Sequence, residues 1–208
     1  MSTTIQTVVL EVDDAAAAEA FYAALGLADR IQVRATDAPT SGFRGYALSL
    51  VVSQPGDVDA YVRTAVDGGA SVLKPATKSF WGYGGVLQAP DGAIWKIASS
   101  AKKDTAPATM AYNDMVLLIG AENVKATRQF YVEHGLSVAK GFGSRYVEFA
   151  APPSAVKLAL YTRRAAAKDV GVDPEGSGSH RIAVRSDAGA FTDPDGFTWE
   201  LATADRIG

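Results

Sequence analysis

A set of short motifs occurs twice along this chain in the same order, and this constrains the fold more than any other feature. Val8–Leu10, the pair Phe21–Tyr22 and the pair Gly26–Leu27 recur as Met115–Leu117, Phe130–Tyr131 and Gly135–Leu136. Each set closes on Pro-Asp-Gly, two residues and Trp, within Ala89 to Ala98 and again within Asp193 to Ala202. A repeated supersecondary pattern restricts the chain to a fold built from like units. The sequence therefore reads as a fused duplication, with one half over 1–100, a linker over 101–110 and a second half over 111–208.

Within each half the apolar period switches between two and 3.6. The alternation predicts a strand at Thr7–Val12, then a helix over about Ala15–Leu25 capped by Asp13 or Asp14 and stopped by Gly26. A second strand follows at Tyr46–Ser53. Asp57 is expected to cap a helix carrying Val58, Tyr61, Val62, Ala65 and Val66 on one side, stopped by Gly68–Gly69. Short strands fit Ser71–Lys74, Gly85–Gln88 and Ile94–Ala98. The second half repeats the order with a strand at Asp114–Ile119, a helix near Asn123–Glu133, and strands near Ser137–Lys140, Tyr146–Phe149, Val156–Tyr161 and Arg181–Arg185. Two βαβββ units per half are expected, one of them pared down: little room lies between Val33 and Tyr46, and no helix fits between Ser186 and Ala190. The linker, rich in Lys, Thr, Ala and Pro, is polar enough to be exposed.

Composition narrows the chemistry. With 48% hydrophobic and 21% charged residues the chain is that of an ordinary globular protein. The absence of cysteine removes disulfides, thiolate nucleophiles and every Cys-ligated metal centre. Only His134 and His180 are present, so a three-His zinc centre is impossible. A net charge of -3 with scattered Lys and Arg offers nucleic acid no basic face. No long apolar run and no leader-like opening is present, which leads us to expect a cytoplasmic protein without a membrane partner.

The paired FY and GL motifs, the βαβββ order and the closing PDG-x-x-W-E-L strand resemble the vicinal oxygen chelate superfamily, which includes glyoxalases, bleomycin-resistance proteins and extradiol dioxygenases. The resemblance spans nearly the whole chain. It implies an α+β fold in which repeated units form open, cup-shaped mixed sheets with the ligand inside. It also implies metal ligands near the start of a unit's first strand, on its last strand, and at the acid after the closing Trp. In the first half those places fall on Thr7 and Lys96, and a lysine there repels a cation. In the second half they fall on Asn113 or Asp114, on Ala159 and on Glu200. His180 lies near a further ligand position, although Arg181 competes for the register and a one-residue slip turns the ring to the other face. The resemblance thus implies at most a divalent-ion site of Asp114, His180 and Glu200; otherwise no cofactor is expected. His134, at a helix C-terminus, reads as structural.

Other residues suit a ligand. Lys78, Trp81 and Tyr83 stand among glycines in the segment Lys74–Gly85, where aromatic rings and cations fit a planar or anionic molecule; equally, Trp81 could cover the core edge. Lys157 and Tyr161 share a strand face and contact a ligand if that face looks inward. The Gly-rich segment Ala165–Ser179 reads as a flap or as a surface loop.

Three functions follow as expectations. The first is metal-independent binding of a small organic molecule, as in drug-sequestering members of the superfamily, by a monomer or loose homodimer, with Lys78, Trp81, Tyr83, Lys96, Lys157 and Tyr161 as contacts. The second is a glyoxalase-like lyase or isomerase using a divalent ion, with Glu200 as the catalytic group. The third is an interaction module whose cups are filled by its own side chains.

Overall fold

The computed structural model describes residues 3–202. It opens with β1 (Ile5–Val12), α1 (Ala15–Ala24), β2 (Ile31–Ala35) and β3 (Thr40–Gly42), followed by β4 (Tyr46–Val51), α2 (Pro55–Asp67), β5 (Ser71–Ser79), β6 (Gly82–Gln88) and β7 (Ile94–Ser99). After the linker come β8 (Asp114–Ala121), α3 (Val124–Glu133), β9 (Val138–Phe142), β10 (Tyr146–Phe149) and β11 (Lys157–Thr162). The chain ends with α4 (Arg163–Val170), β12 (Gly176–Gly178), β13 (Ile182–Ser186), β14 (Phe191–Thr192) and β15 (Thr198–Leu201). No described helix is long and apolar enough to cross a membrane.

The architecture is α+β, with two open mixed sheets and a small ribbon formed by β12 and β3. An eight-stranded sheet runs β5-β6-β7-β4-β8-β11-β10-β9, and a five-stranded sheet runs β14-β15-β13-β1-β2. Both sheets draw strands from either side of the linker, so the division of the sequence at 101–110 does not divide the sheets. The two short units meet in the five-stranded sheet. There β2 follows α1 directly and pairs parallel to β1, as a right-handed βαβ crossover allows.

Alternation along the strands gives each sheet two different faces. Leu48, Leu50, Trp95, Ile97, Leu117, Ile119, Leu158 and Leu160 of the larger sheet join Val8, Leu10 and Val12 of the smaller one in a single apolar core that also takes in residues of α1, α2 and α3. The opposite face of the larger sheet carries Ala47, Val86, Ile94, Leu118 and Ala159, and these pack against α4. We call this the inner face.

The repeated sequence motifs have a physical basis here. Tyr22 of α1 donates to the Asp91 carboxylate at 2.6 Å, which ties a helix on the smaller sheet to the β6–β7 turn of the larger one. Tyr131 of α3 donates to Asp193, so the same clasp runs in the opposite sense, from the larger sheet to the β14–β15 turn. Each tyrosine also packs on the Trp of the closing motif, Tyr22 on Trp95 and Tyr131 on Trp199. FY and PDG-x-x-W are thus two ends of one inter-sheet contact.

Two local expectations, the Asp57 cap and the flap, need correction. Asp57 is not the cap of α2. Pro55 starts that helix a turn earlier, after Gln54, and Asp57 is buried in the first turn, where it accepts from the Thr109 N–H at 2.7 Å. The linker is exposed but pinned, because Gln54 also bonds the backbone of Thr105 and Ala106 and Tyr61 donates to the Met110 carbonyl. The segment expected as a flap begins inside a helix. Thr162 caps α4 through the Ala165 N–H, and Gly171 ends it in the left-handed conformation at φ 81°.

Candidate functional site

The inner face of the eight-stranded sheet carries Lys96, Lys157 and Tyr161, three of the expected ligand contacts. Register places Ser49, Lys96, Val116 and Lys157 in one row across β4, β7, β8 and β11. Ala166, Ala167 and Val170 of α4 lie over the middle of this face, fully buried against Ala47, Leu118 and Ala159. Small residues on both sides let the helix sit close to the strands.

Beside α4, towards the β5–β6 hairpin, a cleft of about 330 Å³ stays open. It is lined by Lys74, Trp81, Gly84, Lys96, Ala98 and Asp169 among others. Lys96 Nζ meets both carboxylate oxygens of Asp169, at 3.0 and 2.8 Å. Lys74 Nζ donates to the backbone carbonyls of Lys168 and Asp169 at 3.1 and 2.7 Å, the negative end of α4. Trp81 sits at the hairpin tip, 83% exposed, against an equally bare Phe80. It does not cover the core edge.

Tyr83 is turned away: its hydroxyl donates to Asp59 of α2 at 2.8 Å, on the opposite face of the sheet. Tyr83 still borders the cleft, whereas Lys78, its partner across the hairpin, shares the α2 face and does not line it. Lys157 and Tyr161 do lie on the inner face, beyond α4. Lys157 pairs with Asp114 at 2.8 Å. Tyr161 packs on Tyr146, and burial together with the Asp169 charge pushes its hydroxyl pKa up. Burial raises the Tyr146 hydroxyl as well, reinforced by its bond to Glu148. Desolvation of Glu148 is outweighed by Tyr146 and Lys140, which hold its carboxyl below the ordinary value.

The corresponding face of the five-stranded sheet carries Glu200. One oxygen accepts from Arg34 at 2.9 Å and the other from Arg185 at 3.1 Å, while Arg34 also meets Glu11 at 2.7 Å. Arg185 continues to Gln32. Desolvation opposes ionisation of Glu200, but the two guanidinium groups prevail and hold its carboxyl below the usual range. A group so held is a poor proton carrier at neutral pH.

The residues do not fit the divalent ion that the resemblance implies. Asp114 belongs to the other sheet and is bound to Lys157, while both Glu200 oxygens face arginines. His180 Nδ1 lies 2.6 Å from the Arg44 carbonyl and Nε2 3.0 Å from the Asp195 carbonyl, with the ring stacked on Phe197. Both nitrogens are directed at backbone carbonyls, so neither points to an open site shared with Asp114 or Glu200. Neither His180 nor Arg181 lies within β13; Arg181 is buried at φ 53° and pairs with Asp13. Among the described residues, no three His, Asp or Glu side chains gather as a metal site. His134 caps α3, bonded to the Phe130 carbonyl at 2.8 Å and stacked on Phe130.

Sequence reasoning missed Lys74 and Asp169. The signal for Asp169 was Thr162-Arg-Arg-Ala-Ala-Ala followed by Gly171, a capped and stopped helix obscured because Thr162 also ends a strand. A second cavity, of about 490 Å³, lies at the seam of the two sheets between Arg44, Glu122, Arg163, Arg164 and Glu175. There Arg163 is spent on the Phe43 and Pro174 carbonyls.

In sequence the chain matches no protein-family model and no curated protein. Its structure is similar to that of glyoxalase I from Zea mays, with a TM-score of 0.60 and 12% identity over 95% of this chain and 91% of that one. It is also similar to a proposed dioxygenase from Bacillus subtilis, with a TM-score of 0.62 and 14% identity over 100% of this chain and 87% of that one. The chain has the vicinal oxygen chelate fold, and at these identities the likeness speaks for the fold alone.

Proposed function

We propose that the protein binds a small organic molecule, without a metal ion, in the cleft between α4 and the β5–β6 hairpin. The observation that carries this reading is the lining of the cleft: Lys74 and Lys96 on its wall, Gly84 and Ala98 on its floor and the exposed Trp81 at its rim. Small floor residues leave room for a flat group, an indole at the rim can stack on it, and ammonium groups fix its polar end. The volume of about 330 Å³ suits a ligand at the small end of the usual range.

The lyase reading rests on Asp114, His180 and Glu200, which hold separate partners and give a proton-transfer step no shared site. The interaction-module reading draws on the seat of α4, yet the cleft beside that helix stays open.

The test uses fluorescence, because Trp95 and Trp199 are buried and Trp81 is the exposed indole. Titrating chelator-treated protein with 2-naphthoate and 2-naphthalenemethanol should quench the solvent-exposed component, and Trp81→Phe should abolish that change. Absence of binding of both probes at sub-millimolar concentration, by fluorescence and by calorimetry, would refute the proposal.

A further inference from the structure

Resting on that reading, we infer that the cleft takes a small organic carboxylate, that Lys96 is its anchor, and that Asp169 is an internal carboxylate holding the ligand's place. α4 brings two kinds of negative charge to the cleft, the Asp169 side chain and the last carbonyls of the helix. Each meets one of the lysines: Asp169 takes Lys96 through both oxygens, and the carbonyls of Lys168 and Asp169 take Lys74. A ligand carboxylate at the same point would present the same atoms to Lys96.

The exposure of the pair decides that this contact can be exchanged. The Lys96 and Asp169 side chains remain 36% and 32% accessible, so they form a wall of the cleft and not a sealed pair. An ion pair that solvent reaches is only weakly held, and an incoming anion can match it. The rest of α4 need not leave. Its seat is apolar, through Ala166, Ala167 and Val170, and Lys74 holds its end by backbone atoms that persist when the carboxylate turns aside. Next to Lys96, Ala98 and Gly84 face the same side of neighbouring strands, and Gly84 carries no side chain, so a ring attached to the carboxylate can lie flat towards Trp81.

The experiment compares 2-naphthoate with the neutral 2-naphthalenemethanol on full-length wild type, Asp169→Asn, Asp169→Glu, Lys96→Met and the Asp169→Asn/Lys96→Met double variant. Asp169→Asn should bind naphthoate up to about fivefold more tightly with the alcohol unchanged, Asp169→Glu should behave as wild type, and Lys96→Met should remove both naphthoate binding and the gain. Equal naphthoate affinity in wild type and Asp169→Asn, with unfolding midpoints unchanged, would overturn the role of Asp169 while leaving the binding cleft standing. Binding of the alcohol without the acid in every variant would overturn the carboxylate class alone. Silence of both probes throughout would remove the cleft reading and this inference together. Should Asp169→Asn lower the unfolding midpoint, the Lys96→Met comparison still decides: naphthoate affinity unchanged by loss of Lys96 overturns the inference.

Discussion

Replacing Tyr131 by Phe removes one hydroxyl from the centre of the molecule and leaves its ring in place. Tyr131 is fully buried, and its hydroxyl donates to Oδ2 of Asp193. The other Asp193 oxygen accepts from the backbone of Asp195 and Phe197 at 2.9 and 2.8 Å. Burial holds the Asp193 carboxyl above the ordinary range despite these donors, with the Asp195 charge adding to the effect. A hydrogen bond to a charged group is worth about 1.5–3 kcal/mol, and a buried oxygen left unpaired adds to the loss. The expected cost of Tyr131→Phe is therefore about 2–3 kcal/mol, or roughly 4–12 °C in Tm for a chain of this length. Tyr22→Phe removes the equivalent bond to Asp91, which is only half-buried and can turn to water, so about 1 kcal/mol is expected.

Urea unfolding followed by tryptophan fluorescence measures both losses, and pH supplies a second axis. Because the folded Asp193 pKa lies above its unfolded value, the native state binds the extra proton between the two. Stability therefore falls as pH rises through that interval. Tyr131→Phe removes a bond that favours the charged form, which extends the interval upward. Its deficit should be full at neutral pH and shrink as pH falls below the folded pKa. Equal losses in Tyr131→Phe and Tyr22→Phe, or a Tyr131→Phe deficit unchanged between neutral and acid pH, would refute this account of the clasp.

Glu200→Gln should cost about 1 kcal/mol, by denaturant unfolding, because its arginine contacts are partly exposed; elemental analysis should find the same metal content as in wild type. The Glu200 contribution is present above the unfolded pKa and lost as pH falls through the lower folded one, and the difference between the two proteins should vanish in strong acid. Gly171→Ala places a side chain at φ 81° and its Cβ 2.3 Å from Lys74 Cε. It should cost about 1–2 kcal/mol, read from the unfolding midpoint, and weaken naphthoate binding by displacing Lys74. Asp57→Ala frees the Thr109 N–H and should destabilise by about 1–2 kcal/mol, with faster amide exchange confined to the linker.

Helix and strand positions follow from local chemistry, and most were legible in the order of residues. Apolar period and cap residues set α1 and α3, whose Asp14 and Asn123 caps accept from the third residue on. The twofold recurrence of FY and PDG-x-x-W marked the unit architecture, because each motif is one end of a contact that the fold needs twice. Pro55 should have outweighed Asp57 as the start of α2, and Thr162 with Gly171 should have framed α4; both signals were local and were missed. Face and partnership were a different matter. Lys78, Tyr83 and Trp81 lie within five residues of one another, yet hairpin pairing sends the first two to the α2 face and leaves Trp81 at the rim. Asp114, His180 and Glu200 were compatible as a ligand set by residue type, and tertiary structure gave each a different partner because they lie on different sheets or outside the strands. Lys96 was readable as a cation in place of an acid, but its carboxylate came from 73 residues further on, on a helix folded back over the sheet. Periodicity depends on neighbours a few residues apart and is therefore written in sequence; the charge that meets a side chain across a cleft depends on how sheets and helices close on each other, and only the packed chain decides it.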